Sequence, residues 1–538
     1  MSPHGDCYRE MSILRHGGCI GVLCVVALCF VSQGTDVTFF GGAGQVGGSC
    51  ALVENDKGKV LVDCGTFYSD EVGSNRQNES EGFGFNPIAI DAVLITHAHA
   101  DHAGRVPQLV RCGFKGHIYM TDPTRQLLEI SWKSQALYDD TYVREWQWSD
   151  KRHKVHWRKE CDWARKISSR NRKTFTGKYN RLKNMVPRAT GCKSCAELDV
   201  LDCMTRITTV PYDQAVSLNG FKIVFRPVEH LPGSAAIYFD DGRASFAFSG
   251  DLGTARSRTS NPIRVSSKVD AVFLECTYGD KSKGDADEVA KEYGRFARVV
   301  ANALGRGELV WIPAFAMDRT QRVMLELLRC GANPERFYSL SPSGNAITDL
   351  YLSNPEWFPN ELGKLWDSFT KMQMTACHKF DTANHFRLYG SGVLLTTSGM
   401  MDTGFSYGFL RELLPRSDVT VCLVGYQSAG TPGRQLKEGR KTISLRDGAE
   451  IPVKARVESF DCFSGHGDAR ENDVWLGENV KSKIYLVHGD AEALKARKED
   501  LEKRFGAEVA IVKKNQRYPI GSIREKPCAT CADRATGK

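Results

Sequence analysis

Histidine is scarce in this chain, with thirteen among 538 residues. No internal repeat and no low-complexity tract is visible, which excludes solenoid and propeller arrays. No apolar run is long enough for a stable membrane span. The one candidate, Cys19–Val31, has thirteen residues, against roughly 20 for a helix crossing a bilayer. Arg9 and Arg15 precede that run and Val31-Ser32-Gln33-Gly34 ends it. Residues 15–34 therefore read either as a signal-peptide core or as an extension upstream of a fold that starts at Asp36. The first reading leaves export open; otherwise the cytoplasm is favoured. Eighteen cysteines are scattered through the chain and form no small disulfide scaffold. Cys64, Cys276, Cys422 and Cys462 lie in or beside apolar runs and read as small buried thiols. Gly41-Gly42-Ala43-Gly44 lacks the following Lys-Ser/Thr of a phosphate-binding loop, so it reads as a tight turn.

The length suggests two or three domains. With 41% hydrophobic and 25% charged residues, the composition is that of a globular protein. The net charge of +8 is unevenly placed. Residues 151–190 hold fourteen Lys/Arg against Glu160 and Asp162, a local +12 that leaves the remainder of the chain at −4. Two C-x-x-C pairs, Cys192/Cys195 and Cys528/Cys531, have the spacing of zinc half-sites, though nothing in the sequence brings them together.

From Asp36 the text is strand-rich, with Val37–Phe40, Cys50–Glu54, Lys59–Val62 and Ala92–Ile95 bounded by Gly and Asp. A helix is expected over 123–150. Strands resume at Phe221–Phe225, Ala235–Phe239, Ala244–Phe248 and Ala271–Leu274. After about residue 281 helix and strand alternate, as in Asp287–Leu304, Glu308–Ile312, Arg319–Leu328 and Val393–Thr396, which reads as a separate α/β domain over 281–450. Short strands return over 451–522, and 523–538 is a tail.

Three of the thirteen histidines fall within six residues, in Thr96-His97-Ala98-His99-Ala100-Asp101-His102, directly after an apolar strand. Imidazole and carboxylate are common zinc ligands. At a strand end His97 and His99 can face one ion, and Asp101 and His102 a second. One loop cannot close two sites. Single polar residues after other strands supply the remainder: Glu229-His230, Ser249-Gly250-Asp251 and Val487-His488-Gly489.

The ordered set Asp63, His97-x-His99-x-Asp101-His102, His230 and Asp251 resembles the leading motifs of the metallo-β-lactamase superfamily. Glu275 in Leu274-Glu275-Cys276-Thr277-Tyr278, His466 in Phe463-Ser464-Gly465-His466-Gly467-Asp468 and His488 resemble motifs A, B and C of its β-CASP branch. Ile312-Pro313-Ala314-Phe315 and Ser398-Gly399-Met400-Met401 resemble landmarks of that branch's inserted domain. The likeness covers roughly 36–520 apart from 151–190. It implies an αββα sandwich over 36–280 and 451–522, interrupted by an α/β β-CASP domain over 281–450.

It further implies two zinc ions: one on His97, His99 and His230, one on Asp101, His102 and His488, with Asp251 between them. Asp63 would orient a ligand from behind. A hydroxide generated at the two metals would cleave an RNA phosphodiester, and His466 paired with Glu275 would protonate the leaving oxygen. The branch's activity is endonucleolytic or 5′-to-3′ exonucleolytic, in RNA processing or decay. Arg319, Ser398 and Ser464 are candidate RNA contacts, and the 151–190 segment, with Trp157, Trp163, Phe175 and Tyr179 among its charges, is a candidate single-strand contact. A small-molecule hydrolase of the same fold is disfavoured by the insertion, which would roof the site into a cleft for a polymer. A DNA nuclease of the branch is disfavoured by His488, where that subgroup carries an aliphatic residue. Oligomeric state, including a homodimer, stays open.

Overall fold

The computed structural model describes residues 34–67, 82–149, 195–255, 263–279, 281, 284–333, 336–357, 391–428, 430–445 and 447–521. The N-terminal apolar run, the basic segment 151–190 and Cys528/Cys531 lie outside them. So does Cys192, whose partner Cys195 opens the helix Cys195–Arg206.

The first sheet sets β1 (Thr35–Gly41), β2 (Cys50–Asn55), β3 (Gly58–Val62), β4 (Ala92–Leu94), β5 (His117–Met120) and β6 (Ile207–Thr209) side by side in that order, with β21 (Arg517–Ile520) outside β1. The second runs from β7 (Ala215–Leu218) through β8 (Phe221–Pro227), β9 (Ala235–Asp240), β10 (Ser245–Phe248) and β11 (Ala271–Glu275) to β19 (Lys483–Val487) and β20 (Val509–Ile511). Side chains alternate across each strand, so each strand feeds two cores. Val60 and Val62 of β3, Phe221, Ile223 and Phe225 of β8, and Phe273 of β11 meet between the sheets. Leu61 of β3 joins Leu109, Trp132 and Val200 of the helices covering the first sheet. Val272 and Leu274 of β11 join Trp475, Leu494 and Leu501 of the helices covering the second. The result is helix, sheet, sheet, helix: the αββα sandwich that the motifs implied.

β11 and β19 are parallel neighbours, pairing Ala271 with Lys483 through Glu275 with Val487, although some two hundred residues separate them in sequence. That excursion builds a third sheet, in the order β13 (Phe337–Leu340), β14 (Gly392–Thr396), β12 (Leu309–Pro313), β15 (Val419–Leu423) and β18 (Arg456–Ser459), parallel throughout. β12, β14 and β15 are buried along their whole length, as expected of parallel strands covered on both faces. Val310 and Ile312 pack on one face and Leu309 and Trp311 on the other. The helix Ala286–Gly305 that leads into it starts in a reciprocal Asp285–Glu288 capping box. This is the inserted α/β unit, and because β18 pairs with β15 and Phe460 and Phe463 pack in its core, it runs past the expected boundary at 450 and carries the loop with Gly465 and His466. The four thiols read as buried, Cys64, Cys276, Cys422 and Cys462, are buried and free. Among the described residues no helix is long and apolar enough to cross a membrane.

Phe273 is fully buried between the sheets and stacks on Phe248 at 4.6 Å and on Tyr485 at 4.8 Å. Phe273→Ala should therefore lower unfolding free energy by about 3–5 kcal/mol. Urea unfolding measures it, and a loss under about 1 kcal/mol would show that the inter-sheet core closes around the gap.

Candidate metal centre

Each site residue predicted from the αββα part of the sequence follows a strand, and strand direction decides that they meet. β8 and β10 are both antiparallel to β9, and β10, β11 and β19 are mutually parallel. His230, Asp251, Glu275 and His488 thus emerge at one end of the second sheet. β3 and β4 are parallel, so Asp63 and the His97–His102 loop emerge together from the first. The loops interlock through backbone contacts: Cys64 N donates to His102 O at 2.7 Å and Thr66 N to Ala100 O at 2.8 Å. A β-carbon on Gly65 would lie 1.6 Å from the Asp101 carbonyl oxygen, and one on Gly253 1.7 Å from that of Glu229. Only glycine lets these ligand-bearing loops approach so closely.

Two donor clusters result. His97, His99, His230 and Asp251 form one, and Asp101, His102, His488 and Asp251 the other; within each the donor atoms lie within 4.8 Å of one another. In the first, His99 Nδ1 is 3.2 Å from His97 Nε2 and 3.0 Å from His230 Nε2, while Asp251 Oδ2 lies 3.5 Å and 3.6 Å from those same Nε2 atoms. In the second, His102 Nε2 is 3.3 Å from His488 Nε2 and 3.1 Å from Asp251 Oδ1, and His488 Nε2 is 3.4 Å from Asp101 Oδ2. The structure thus gathers the seven residues that the resemblance named as ligands into two groups sharing Asp251.

Hydrogen bonds behind the rings fix which nitrogen faces inward. His102 Nδ1 donates to Asp63 Oδ2 at 2.8 Å and His230 Nδ1 to the Gly465 carbonyl at 3.0 Å. Both acceptors are carboxylate or carbonyl, so each Nδ1 carries a proton; the Nε2 of neutral His230 presents a lone pair, whereas that of His102 faces Asp251 Oδ1 at 3.1 Å and keeps a second proton that a bound cation would replace. Lone pairs converging at about 3 Å repel unless a cation lies among them. Asp251 Oδ1 is buried with the imidazole nitrogens of His102 and His488 within 3.5 Å, so its charge must be met by a proton or a cation among those rings. The donor set fits a divalent metal at each cluster.

The electrostatics agree. Burial pushes His97 and His230 well below the ordinary imidazole value and takes His99 down to about 4, leaving all three neutral. Burial acts likewise on His102 and His488, but Asp251 and Asp63 beside the first, and Asp251 and Asp101 beside the second, outweigh it and hold both above the usual range. Burial also opposes charge on Asp251, yet the imidazoles of His102, His488, His466 and His97 hold it well below the usual carboxylate range. The second cluster, with two carboxylates, draws in positive charge most strongly.

His466 stands outside both clusters. Its Nδ1 is 3.4 Å from Glu275 Oε1 and 3.8 Å from Asp251 Oδ2, and its side chain is 19% exposed where the neighbouring carboxylates are 1%. Glu275 is held by Leu252 N at 3.2 Å and Thr277 N at 2.8 Å. Arg319 follows β12 and donates from Nη1 to Val424 O. A β-carbon on Gly465 would lie 3.8 Å from its Nη2 and 3.4 Å from His230 Cε1, so the guanidinium borders the metal cluster. Ser398 donates to Asp402 Oδ1 at 2.5 Å and closes its own turn. Ser464 donates to Tyr278 Oη at 3.3 Å, beside His466.

Sequence reasoning missed three supports. Thr96 Oγ1 donates to Asp63 Oδ2 at 2.8 Å and accepts from His97 Nδ1 at 3.0 Å. One Asp63 carboxylate thereby orients a ligand in each cluster, His102 directly and His97 through Thr96. Thr277 Oγ1 lies 3.2 Å from His488 Nδ1. The Gly465 carbonyl comes from the loop after β18, in the inserted part. Thr96 adjoins the histidine loop and could have been weighed as a hydrogen-bond partner. The other two act across sequence gaps that no local pattern reports.

The sequence is similar to those of known proteins. The sequence profile of the Metallo-beta-lactamase superfamily matches residues 43–174, that of the Beta-Casp domain 320–436, and that of the Zn-dependent metallo-hydrolase RNA specificity domain 450–512. Ribonuclease TTHA0252 of Thermus thermophilus is 28% identical over 490 residues, covering 89% of this chain and 99% of that protein. Transcription termination factor FttA of Methanosarcina mazei is 31% identical over 488 residues, 86% of this chain and 68% of that protein. FttA of Methanocaldococcus jannaschii is 28% identical over 486 residues, 84% of this chain and 67% of that protein.

Thr96→Val keeps the shape but removes the acceptor behind His97. Divalent-metal affinity at the first cluster should fall about 10–100-fold, while the second keeps its Asp63–His102 bond. Competition against a chromophoric chelator resolves the two, and equal weakening of both clusters would mean that Thr96 serves the loop and not His97.

Proposed function

Given that this chain belongs to the β-CASP branch of the metallo-β-lactamase superfamily, we propose that it is a ribonuclease that holds two zinc ions and hydrolyses phosphodiester bonds of single-stranded RNA. The observation that carries this reading is the pair of buried donor clusters sharing Asp251, with the partly exposed His466 beside them. The imidazole-rich donor sets favour zinc over magnesium or calcium, which take oxygen ligands. Two such ions would lower the pKa of a water and neutralise charge on the scissile phosphate.

The protein's own groups do the remainder. Asp63 and Thr96 set ring orientation in both clusters from behind. His466 presents Nδ1 to Glu275, so its other nitrogen carries the proton that goes to the leaving ribose oxygen. Glu275 stabilises the imidazolium before that transfer, and its own charge is met by two backbone N–H groups. Arg319, whose guanidinium lies beside Gly465, would meet a phosphate oxygen flanking the cleaved bond. Ser464 serves the same loop, and Ser398 contacts RNA only if its bond to Asp402 opens. The products are a 5′-phosphate and a 3′-hydroxyl.

RNA is favoured over a small substrate by the RNA specificity match at 450–512, which spans both His466 and His488. The name of the Thermus thermophilus relative points the same way. The basic segment 151–190 supplies a second contact outside the site: +12 in forty residues is self-repulsive until a polyanion neutralises it.

Purified protein, given single-stranded RNA labelled at either end and DNA of the same sequence, should cut RNA in preference; equal rates on both would move the assignment to a general phosphodiesterase. His466→Ala should retain both zinc ions by elemental analysis and lose roughly 10²–10⁴-fold in turnover. Loss of metal in that variant would make His466 a ligand. In the intact protein, log affinity for RNA should fall linearly with log salt, and replacing Arg158, Lys159, Arg165 and Lys166 by Ala should flatten the slope. An unchanged slope would remove the segment from the substrate path.

A further inference from the structure

The helix Arg319–Arg329 begins in an unusual way. Asp318, its N-cap, sits at φ 64°, ψ −48°, and Arg319 N donates to Met317 O at 2.7 Å. This is a γ-turn of the strained hand, which a β-carbon disfavours and glycine would relieve. Asp at an N-cap ordinarily accepts from the first-turn N–H groups, but here the side chain makes no capping bond. Its carboxylate instead accepts from Arg322 Nε, four residues on, in an ion pair with both side chains under a tenth exposed. Arg322 Nη2 reaches out of the helix to the backbone carbonyl of His230 at 3.2 Å.

His230 is therefore held at two points by the inserted part of the chain: its carbonyl by Arg322 and its ring Nδ1 by the Gly465 carbonyl. The other ligands of the first cluster, His97, His99 and Asp251, come from the αββα part. We propose that the Asp318–Arg322 pair is a positioning strut that fixes the His230 backbone and so sets the geometry of the first metal cluster. The strained Asp318 is explained by this: it anchors the guanidinium fork at the angle that reaches His230, which glycine cannot do. Arg322 is a positioning residue, acting through His230 without touching substrate. The strut ties the helix that follows β12 of the inserted sheet to the backbone of a residue in the metal centre.

The inference rests on the two-metal reading, and the test separates the two. Asp318→Gly combined with Arg322→Met in the full chain removes the strain, the buried ion pair and the donor to His230 together. Removing both partners strands no buried charge, so the unfolding midpoint should be no lower than that of the unaltered protein. Zinc titration should show affinity at the first cluster weakened about 10–100-fold and the second unchanged. A folded variant binding both ions as tightly as the unaltered protein overturns the strut. A lowered midpoint with equal weakening at both clusters also overturns it, because that is the mark of a merely structural pair. Arg322→Lys keeps the charge but loses the fork, and should show the same one-cluster defect in smaller measure. If the unaltered protein takes up no zinc, the two-metal reading itself fails.

Discussion

A single buried carboxylate organises this molecule. Asp251 lies within 3.8 Å of ring nitrogens from His97, His102, His230, His466 and His488. An anion removed from water costs several kcal/mol unless it is compensated. Here compensation comes from rings carried on four loops of three sheets, each of which must be in place. The interlocked loops, the glycines at 65 and 253 and the parallel strand ends are what hold those rings at that distance. Its two oxygens face different clusters, so the same charge fixes the separation between them.

Support for the rings is layered unevenly. The αββα part orients His97 and His102 through Asp63, itself held in a left-handed conformation at φ 61°. His488, also at positive φ, is steadied by its backbone bond to the Gly42 carbonyl and by Thr277. His230 alone depends on the inserted part. The insertion is thus no cover added to a finished site: it supplies His466, the acceptor behind His230 and the guanidinium at its backbone. Its entry between the neighbouring strands β11 and β19 leaves the second sheet intact, which is why so long an excursion costs the sandwich little.

Much of this was legible in the residues. Strand positions, the break into helix–strand alternation near 281 and the crowding of histidines after Ile95 all follow from local periodicity and from residue types that few other roles explain. The resemblance ordered the motifs into two groups of donors, and the structure gathers the same residues into two clusters. The supports were not legible. Thr277 and the Gly465 carbonyl meet their histidines across 211 and 235 residues, and a threonine or a backbone oxygen carries no mark of such use. Arg319 was a candidate RNA contact, and Arg322, one turn further along the same helix, carried no mark of any role. Packing sends one toward the Gly465 loop and the other to the carbonyl of His230.

The sequence by itself determined the chemistry available: seven metal-type donors, a Glu–His pair and a fold that puts loops at strand ends, because these depend on residue type and on periods of two or 3.6. Tertiary structure decided which nitrogen of each ring faces inward, which residues hold it there and that the inserted sheet grips His230. Those properties depend on distances of about 3 Å between segments hundreds of residues apart, and such distances exist only after strand direction and sheet packing have brought the loops together.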